Sequence, residues 1–302
     1  MSSVNQFYAG PLFSCSGWVA VVTGGGTGIG LMAAQALAAN GAKVYITGRR
    51  QAVLEAAIKT HGTPEALGEH GGQIVPLVMD VTDKESIQKA VKVVEGQDGF
   101  LSVLINNAGM EGGRPTHGPD AGMEAYGKAL FAEDPQKDWL TPYMCMTVGP
   151  YLCSAAFVHL LAAAGTKGPV KRPGNIINIS SLSGLTKWSQ NGQFAYNCAK
   201  AAVIQLSKLM ATDLCAEEIG IRVNNLAPGY FSTELTTGTA STNGKSSWPI
   251  DEFKAEMKRV HSNADRPGTD TEMGSGILLL ATNDYVNGHT LLIDGGLLLR
   301  HP

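Results

Sequence analysis

The chain has 302 residues, of which 44% are hydrophobic, and this is enough to bury the core of one large α/β domain. Its 23 basic and 26 acidic residues give a net charge of −3, and no run of lysine or arginine is longer than two residues. This composition excludes a surface built to neutralise the phosphates of a nucleic acid.

The cysteines and the lengths of the apolar runs indicate the cellular compartment of the protein. The five cysteines, at positions 15, 145, 153, 198 and 215, form no CxxC pair and have no histidine at metal-ligand spacing. We therefore expect no disulfide and no metal. The N-terminal segment lacks a signal pattern, and the longest aliphatic run, residues 277–281, is far shorter than the roughly 20 residues of a membrane span. These features predict a soluble, cytoplasmic protein.

Short β-branched segments alternate with longer helical ones along the chain. We predict strands, in chain order, at VAVVT (19–23), KVYIT (43–47), QIVPLVMDV (73–81), FLSVLINNAG (100–109), NIINISS (175–181), IRVNNLAPG (221–229) and TLLID (290–294). Helices are predicted between them, ending near Ala39, beginning at Gln51 and Lys84, and around residues 195–217. This alternation predicts βαβ crossovers and a parallel sheet covered by helices on both faces.

Three segments interrupt the alternation. Residues 61–72 and 110–137 are rich in glycine, proline or charge, and we expect them to be surface loops. The region of about 233–265 combines Thr/Ser/Gly repeats with DEFKAEMKRV, and this pattern predicts a mobile loop with one short helix. No linker or repeat divides the chain, so residues 1–302 are predicted to form a single domain with a core of about 16–296.

A glycine-rich turn, TGGGTGIG, joins the first strand to the first long helix. Such a turn presents the helix N-terminus, whose unpaired N–H groups and dipole attract an anion. Gly24 permits the tight turn, Gly28 lets a pyrophosphate approach the backbone, and Gly30 lets the helix pack on the strand. The turn alone is a weak signal, but its place between a buried strand and a helix favours nucleotide binding.

Tyr196 and Lys200 lie four residues apart on a helical segment and therefore share one face of the helix. A phenol has an ordinary pKa near 10, and a lysine cation about 4 Å away lowers that pKa by at most about three units. The pair therefore predicts a proton donor and acceptor for a carbonyl or alcohol substrate.

Four motifs occur in order: TGGGTGIG, NNAG at 106–109, YNCAK at 196–200 and PG at 228–229. Together they resemble the short-chain dehydrogenase/reductase family over most of the chain. The resemblance implies a Rossmann-type doubly wound parallel sheet flanked by helices on both faces, with NAD or NADP at the carboxyl ends of the strands. It also implies that Lys200 holds the nicotinamide ribose and that a serine hydrogen-bonds the substrate oxygen. Ser181 matches the motif best, whereas Ser183 matches the usual spacing better.

The resemblance and the second strand together predict the coenzyme. That strand ends in Gly48, Arg49 and Arg50, where NAD-specific relatives carry an acidic residue, and a guanidinium there binds a 2′-phosphate. We therefore predict NADP, with NAD less favoured and Arg49 as the chief contact. The expected coenzyme contacts are Gly24, Thr27, Gly28, Ile29, Gly30, Arg49, Asp80, Val81, Asn107, Ala108, Gly109, Tyr196, Lys200, Pro228, Gly229, Phe231 and Thr233.

One position departs from the family. Met146 stands where relatives hold a water molecule with an asparagine, and a thioether is a poor group for that task. Two functions therefore stay open. One is an NADP-dependent carbonyl reductase or alcohol dehydrogenase that uses Ser181, Tyr196 and Lys200. The other is an NADP-binding protein of the same fold with a non-redox catalytic or binding role.

The substrate pocket is expected at the residues that follow the strands and in the mobile region: Met110, Ser181, Leu182, Ser183, Trp188, Phe194, Tyr230, Leu235 and Trp248. These residues are mostly apolar and no arginine stands out for a substrate carboxylate, so we expect a hydrophobic ketone or secondary alcohol, as in secondary metabolism. The leucines of the C-terminal GGLLLRHP are expected to be buried against the pocket or in a homodimer or homotetramer.

Overall fold

The computed structural model describes residues 7–238, 243–259 and 264–302, and these contain one seven-stranded sheet. The strands are β1 Val19–Thr23, β2 Lys43–Gly48, β3 Gln73–Val78, β4 Val103–Asn106, β5 Asn175–Ile179, β6 Arg222–Pro228 and β7 Thr290–Ile293. Their spatial order is β3-β2-β1-β4-β5-β6-β7, and every neighbouring pair is parallel. The predicted doubly wound, Rossmann-type sheet is confirmed.

The helices lie between the strands as βαβ crossovers require. Those of the described residues are α1 Ala9–Leu12, α2 Gly28–Ala39, α3 Gln51–His61, α4 Pro64–Leu67, α5 Lys84–Gln97, α6 Met123–Phe131, α7 Thr141–Tyr143, α8 Gly149–Lys167, α9 Phe194–Leu214, α10 Glu234–Thr237, α11 Ile250–Arg259 and α12 Asp270–Thr282. Two wider π-helical segments, Pro135–Leu140 and Met144–Val148, flank α7 and make one continuous helical stretch with α8.

Helices bury both faces of the sheet, which is why its central strands are apolar throughout. On one face, Leu31 and Leu37 of α2 and Ile277 of α12 pack in the core. On the other face, Ile87 of α5 and Phe157 of α8 pack in a second core. The chain order changes direction between β1 and β4, and a crevice at the carboxyl ends of these strands is the usual ligand site of this architecture.

The segments that interrupt the alternation contain more helix than the sequence analysis predicts. The supposed loop at 61–72 contains α4, whose Thr63 hydroxyl accepts the Ala66 N–H at 3.2 Å. The supposed loop at 110–137 contains α6. Helix α12 was not predicted, although Thr269 and Glu272 form a capping box at its start.

The predicted mobile region, residues 233–265, is only partly described. Its expected short helix is present as α11, and α10 precedes it. Residues 239–242 and 260–263 lie outside the described residues.

One helical stretch among the described residues, Pro135–Lys167, is long and apolar enough by composition to cross a membrane, and half of its apolar window is buried. Its α8 part contributes Cys153, Phe157 and Leu161 to the core beneath the sheet. We therefore assign this stretch as a core helix of the fold.

A chain of buried polar side chains links the central strands to the helices beneath them. Asn106 Nδ2 at the end of β4 donates to Asn178 Oδ1 of β5 at 2.8 Å and to Ser154 Oγ of α8 at 3.0 Å. Asn178 Nδ2 in turn donates to Ser207 Oγ of α9 at 2.9 Å. This network fixes α8 and α9 against the strand ends that carry the candidate site.

Asn178→Ala is expected to lower the free energy of unfolding by about 1–3 kcal/mol, because it leaves buried donors and acceptors without their partners. Urea unfolding monitored by circular dichroism measures this change. Gln88→Ala, on the exposed side of α5, is the control and should change the free energy by less than about 0.5 kcal/mol. Equal stability of the two variants would show that the network contributes nothing.

Candidate active site

The glycine turn after β1 has the geometry that its sequence predicts. Gly24 and Gly28 adopt positive φ angles of 64° and 51°, which side chains rarely tolerate. A Cβ at Gly30 would overlap the Gly24 carbonyl oxygen and the side-chain amide of Asn107. The turn therefore places the N-terminus of α2 at the carboxyl edge of the sheet, where the Gly28 N–H donates to the Gly244 carbonyl oxygen at 3.1 Å.

The NNAG turn after β4 is bound directly to the glycine turn. Thr23 Oγ1 accepts the backbone N–H groups of Asn107 at 2.9 Å and Ala108 at 3.0 Å. Asn107 Nδ2 donates to the carbonyl oxygens of Thr23 at 2.9 Å and Gly24 at 3.1 Å. Thr23, which the sequence analysis did not single out, thus holds two of the four motifs together.

A cavity of about 330 Å³ follows these turns along the strand ends. It brings together most of the predicted coenzyme contacts: Gly24, Thr27, Gly28, Ile29, Arg49, Asp80, Val81, Asn107, Ala108, Gly109, Tyr196, Lys200 and Thr233. Gly30 is buried beneath the turn, and Pro228, Gly229 and Phe231 line the adjoining cavity instead. We call this the coenzyme cavity, because a helix N-terminus, a glycine cradle without Cβ atoms and an arginine at one end fit a dinucleotide.

Arg49 and Asp80 lie at the end of the coenzyme cavity next to β2. Arg49 is exposed, and its neighbour Arg50 pairs with Glu234 at 3.5 Å. Burial tends to raise the pKa of Asp80, but hydrogen bonds from the backbone and hydroxyl of Thr82 and the charge of Arg49 lower it below its usual value. Asp80 is therefore a carboxylate engaged with Thr82, and Arg49 remains open to the cavity.

Tyr196 lies where the coenzyme cavity meets a second, larger cavity. Burial raises the pKa of Tyr196 to about 12, against the opposing effects of a hydrogen bond with the Ser181 side chain and the charge of Arg114. The nearby carboxylate of Glu111 acts in the same direction as burial. Tyr196 is therefore a protonated phenol at neutral pH.

Lys200 is buried beneath Tyr196, with 5% of its surface exposed. Its Nζ lies 5.7 Å from the centroid of the Tyr196 ring and donates to the Ile179 carbonyl oxygen at 2.9 Å. Burial lowers the pKa of Lys200 to about 8. The expectation that Lys200 brings the pKa of Tyr196 below 10 is wrong for this structure, because desolvation of the phenol outweighs the attraction of its neighbours.

The two candidate serines occupy different environments. Ser181 lines the larger cavity with Tyr196, its hydroxyl acts to lower the pKa of that phenol, and its Oγ accepts the Ser183 N–H at 3.1 Å. Ser183, two residues further along, is buried at 6% exposure and lines the same cavity. Ser180 lines both cavities, but its hydroxyl donates to Asn225 Oδ1 at 2.5 Å.

Met146 lines the coenzyme cavity and is almost fully buried. Its side chain faces Gly109, where an added Cβ would be 3.8 Å from the sulfur. Thr147, the polar neighbour, donates its hydroxyl to the Ala199 carbonyl oxygen of α9 at 3.0 Å. The position where relatives carry an asparagine is thus an apolar wall in this chain.

The larger cavity, of about 690 Å³, is the candidate substrate cavity. Its aromatic wall consists of Trp188, Tyr230 and Trp248, with the last two rings edge to face at 5.9 Å. Of the other predicted pocket residues, Ser181, Leu182, Ser183 and Leu235 line this cavity. Met110 lines the coenzyme cavity instead, and Phe194 lines neither of the two.

The candidate substrate cavity also carries charges that the sequence analysis missed: Glu111, Arg114, Glu252, Glu256 and Arg259. The expectation of a pocket without an arginine is therefore wrong. That expectation used apolar residues alone. Glu111 and Arg114 follow closely after the NNAG motif, and this position at a strand end was a signal that they could line the pocket. The residues of α11 carried no comparable signal.

Comparison with known proteins identifies the family. The family model for short chain dehydrogenase matches residues 18–244. PhomF, a short-chain dehydrogenase/reductase of Diaporthe leptostromiformis, is 35% identical over 97% of this chain and 96% of its own. The gluconate 5-dehydrogenase of Gluconobacter oxydans (strain 621H) is 32% identical over 95% of this chain and 96% of its own.

A solved structure agrees with this assignment. The gluconate 5-dehydrogenase from Burkholderia cenocepacia J2315 in complex with NADP and tartrate is 29% identical and has a TM-score of 0.74, covering 97% of this chain and 99% of its own. The chain therefore belongs to the short-chain dehydrogenase family, whose members bind NAD or NADP, and it is an oxidoreductase acting on CH–OH and C=O groups.

Lys200→Met is expected to stabilise the protein at pH 7, because the shift of the lysine pKa from 10.5 to about 8 on folding amounts to a cost of about 3 kcal/mol. The folded state disfavours the charged form, so this cost is fully present below about pH 8 and disappears as the pH rises to about 10.5. Urea unfolding at pH 7 and pH 10 measures it.

Lys208→Met, on the exposed side of the same helix, is the control and should leave the free energy of unfolding nearly unchanged at both pH values. A Lys200→Met variant that is less stable than the parent at pH 7 would contradict the prediction.

Proposed function

We propose that this protein is an NADP-dependent carbonyl reductase, or the corresponding alcohol dehydrogenase, in which Tyr196 is the general acid. The observation that carries the proposal is the position of Tyr196 at the junction of the two cavities, with Ser181 on the wall of the larger cavity and Lys200 beneath the phenol ring.

The residues have separate roles in this proposal. The nicotinamide supplies the hydride that reduces the carbonyl carbon. Tyr196 donates its phenolic proton to the carbonyl oxygen as the alcohol forms, and Ser181 donates a hydrogen bond to the same oxygen. Lys200 places a positive charge beneath the phenol and stabilises the phenolate that remains. The glycine turn and the N-terminus of α2 would hold the pyrophosphate of a bound coenzyme.

The protonation of Tyr196 favours the reductive direction. With a pKa of about 12, the phenol keeps its proton throughout the physiological range and is ready to donate it. Oxidation of an alcohol needs the phenolate instead, which burial disfavours. The alternative, a non-redox role suggested by Met146, gains no support from this arrangement, because Tyr196 and Lys200 line the coenzyme cavity together with Met146, and Ser181 lines the adjoining cavity with Tyr196.

The preference for NADP rests on Arg49. It is exposed at the end of the coenzyme cavity after β2, and the tip of β2 itself carries no acidic residue that would repel a 2′-phosphate. The nearby Asp80 carboxylate accepts hydrogen bonds from Thr82. The related Burkholderia cenocepacia enzyme is in complex with NADP, which is consistent with this choice.

The substrate is proposed to be a ketone with an apolar body and a polar end. The aromatic wall suits an apolar or ring-containing substrate body. Such a substrate agrees with the proposed role in secondary metabolism. The charged residues on the other side suit a polar end, and some relatives are enzymes of gluconate and 5-keto-D-gluconate.

The protein is also proposed to be a cytoplasmic homodimer or homotetramer. Tyr151 on α8 and Leu209 on α9 are more than half exposed, and these two long helices present such apolar side chains to the solvent. The C-terminal leucines differ in burial. Leu297 is buried in the cluster that also holds Leu182 and Phe253, whereas Leu299 is 88% exposed and is available for a contact between subunits.

Tyr196→Phe tests the proposed reaction. It should lower kcat for NADPH-dependent ketone reduction by about 100- to 10,000-fold, because the proton donor is lost while the ring remains. Stopped-flow and steady-state loss of NADPH absorbance over a ketone panel measures the rate, and NADPH fluorescence measures coenzyme binding, which should be retained. Undiminished turnover by the variant would remove Tyr196 from the mechanism, and NADPH binding by the parent without oxidation by any carbonyl would favour the non-redox role.

Arg49→Ala tests the coenzyme preference. It should weaken NADPH binding by about 10- to 100-fold and leave NADH binding nearly unchanged, because a charge-assisted bond to the 2′-phosphate is removed. Fluorescence titration with both coenzymes measures the two affinities. Arg50→Ala is the matched control, since Arg50 already pairs with Glu234. An equal loss for both coenzymes would refute the assigned role of Arg49.

A further inference from the structure

We propose that Arg114 binds a carboxylate of the substrate, so that the preferred substrate is a keto acid rather than a neutral ketone. This inference rests on the proposed carbonyl reductase function and names the polar end of its substrate. It assigns one side of the candidate substrate cavity to anion recognition and the opposite, aromatic wall to the substrate body.

Arg114 is held in place by close packing on both sides of it in the chain. On one side, a Cβ at Gly112 would be 3.2 Å from the Tyr196 backbone nitrogen, and a Cβ at Gly113 would overlap Asp138. The Gly113 N–H also donates to the Asp138 carbonyl oxygen at 3.2 Å. The segment before Arg114 can therefore lie directly on the first turn of α9, next to Tyr196.

The residue after Arg114 is packed as closely. Pro115 approaches Gly192, where an added Cβ would be 2.6 Å from the proline Cδ and where φ is +84°. Gly113 and Gly192 are the positions at which a Cβ would overlap a neighbour, and Gly112 is tight but less restricted. The backbone that carries Arg114 is thus packed closely at the cavity.

Arg114 differs from the other arginine of the cavity in its partners. Arg259 is already neutralised by Glu256, with bonds of 2.8 and 2.5 Å. Across residues 7–238, 243–259 and 264–302, no hydrogen bond or ion pair to the Arg114 guanidinium is found. It lines the cavity and is exposed at its edge, so it can receive a planar carboxylate from a ligand.

The position of Arg114 determines where a substrate carboxylate would lie relative to the carbonyl group that is reduced. Arg114 lines the same cavity as Tyr196, the proposed proton donor, and Tyr230 of the aromatic wall. Its charge opposes the rise in pKa that burial causes in both tyrosines. A keto acid can therefore place its carbonyl oxygen at Tyr196 and Ser181 and its carboxylate at Arg114. Its carbon skeleton would then lie along Tyr230 and Trp248.

Two carboxylates of the cavity, Glu111 and Glu252, oppose this assignment by their charge. Glu111 raises the pKa of Tyr196 and so lies near the same reaction centre. A cationic substrate held by Glu111 or Glu252 is therefore the competing arrangement. We favour the carboxylate because Arg114 presents a fork-shaped donor pair from a closely packed backbone segment, and the experiment includes amine substrates to decide between the two.

The test compares keto acids with their methyl esters and with amino ketones of the same chain length, using NADPH oxidation by the full-length protein. The parent should prefer acid over ester by about 10- to 100-fold in kcat/KM, because a charge-assisted bidentate contact is lost in the ester. Arg114→Gln should abolish this preference mainly through KM and leave reduction of the ester within about twofold of the parent.

Arg259→Gln is the matched control, because it changes an arginine of the same cavity that is already paired. It should keep the preference for the acid, and thermal melting with and without NADPH checks that both variants are folded. A preference for acid that survives Arg114→Gln, or that is lost only in Arg259→Gln, would overturn the proposal. A preference for amines that is lost in Glu111→Gln would replace it with the competing arrangement.

The two levels of inference fail separately. If esters, acids and amines all leave NADPH unoxidised, the proposed reductase function fails. Calorimetric binding of the keto acid to the protein with NADPH then still tests Arg114. Binding of the acid that Arg114→Gln weakens about 10-fold or more would support the anion site, whereas equal binding by parent and variant would overturn it.

Discussion

The burial of the Lys200 ammonium group is the constraint on which the candidate site depends. A buried cation needs a hydrogen-bond partner, and here the Lys200 Nζ donates a hydrogen bond of 2.9 Å to the Ile179 carbonyl oxygen at the end of β5. That bond fixes α9 over the strand end and so places Tyr196, one turn earlier, at the junction of the two cavities. Burial of the charge lowers the free energy of unfolding, and such a loss of stability is typical of residues that serve a functional site.

Close packing at glycine brings the other segments to α9. A Cβ at Gly184 would be 2.6 Å from the Lys200 carbonyl carbon, so the segment that begins at Ser181 can lie directly on this helix. Gly112 plays the same part for the loop that follows the NNAG motif. The backbone segments that carry Ser181 and Arg114 are thus packed directly against the helix that carries Tyr196. Such contacts fix distances more firmly than flexible side chains do.

The sequence predicts the sheet, and it also predicts most of the residues that line the cavity at the strand ends, because their determinants are local. Strand and helix periodicity, the glycine turn and the spacing of Tyr196 and Lys200 each act within a few residues. For the substrate cavity the apolar lining, including Trp188, was predicted, but the charged residues were missed, since Arg114 and Glu252 come from segments far apart in the chain. The direction of the Tyr196 pKa also depends on burial by surrounding segments, which a pairwise estimate of its attraction to lysine omits.

The aromatic wall of the substrate cavity belongs to a small core that is separate from the two sheet cores. Phe253 and Met257 of α11 pack with Leu182 and Leu297, and Trp248 lies against this cluster. Trp188 joins the wall from another direction and stacks on His301 near the C-terminus, with ring centroids 4.6 Å apart. The sheet cores share no residue with this cluster. Its packing can therefore change the shape of the substrate cavity without disturbing the strand ends that hold the coenzyme cavity, which is how one fold accommodates different substrates.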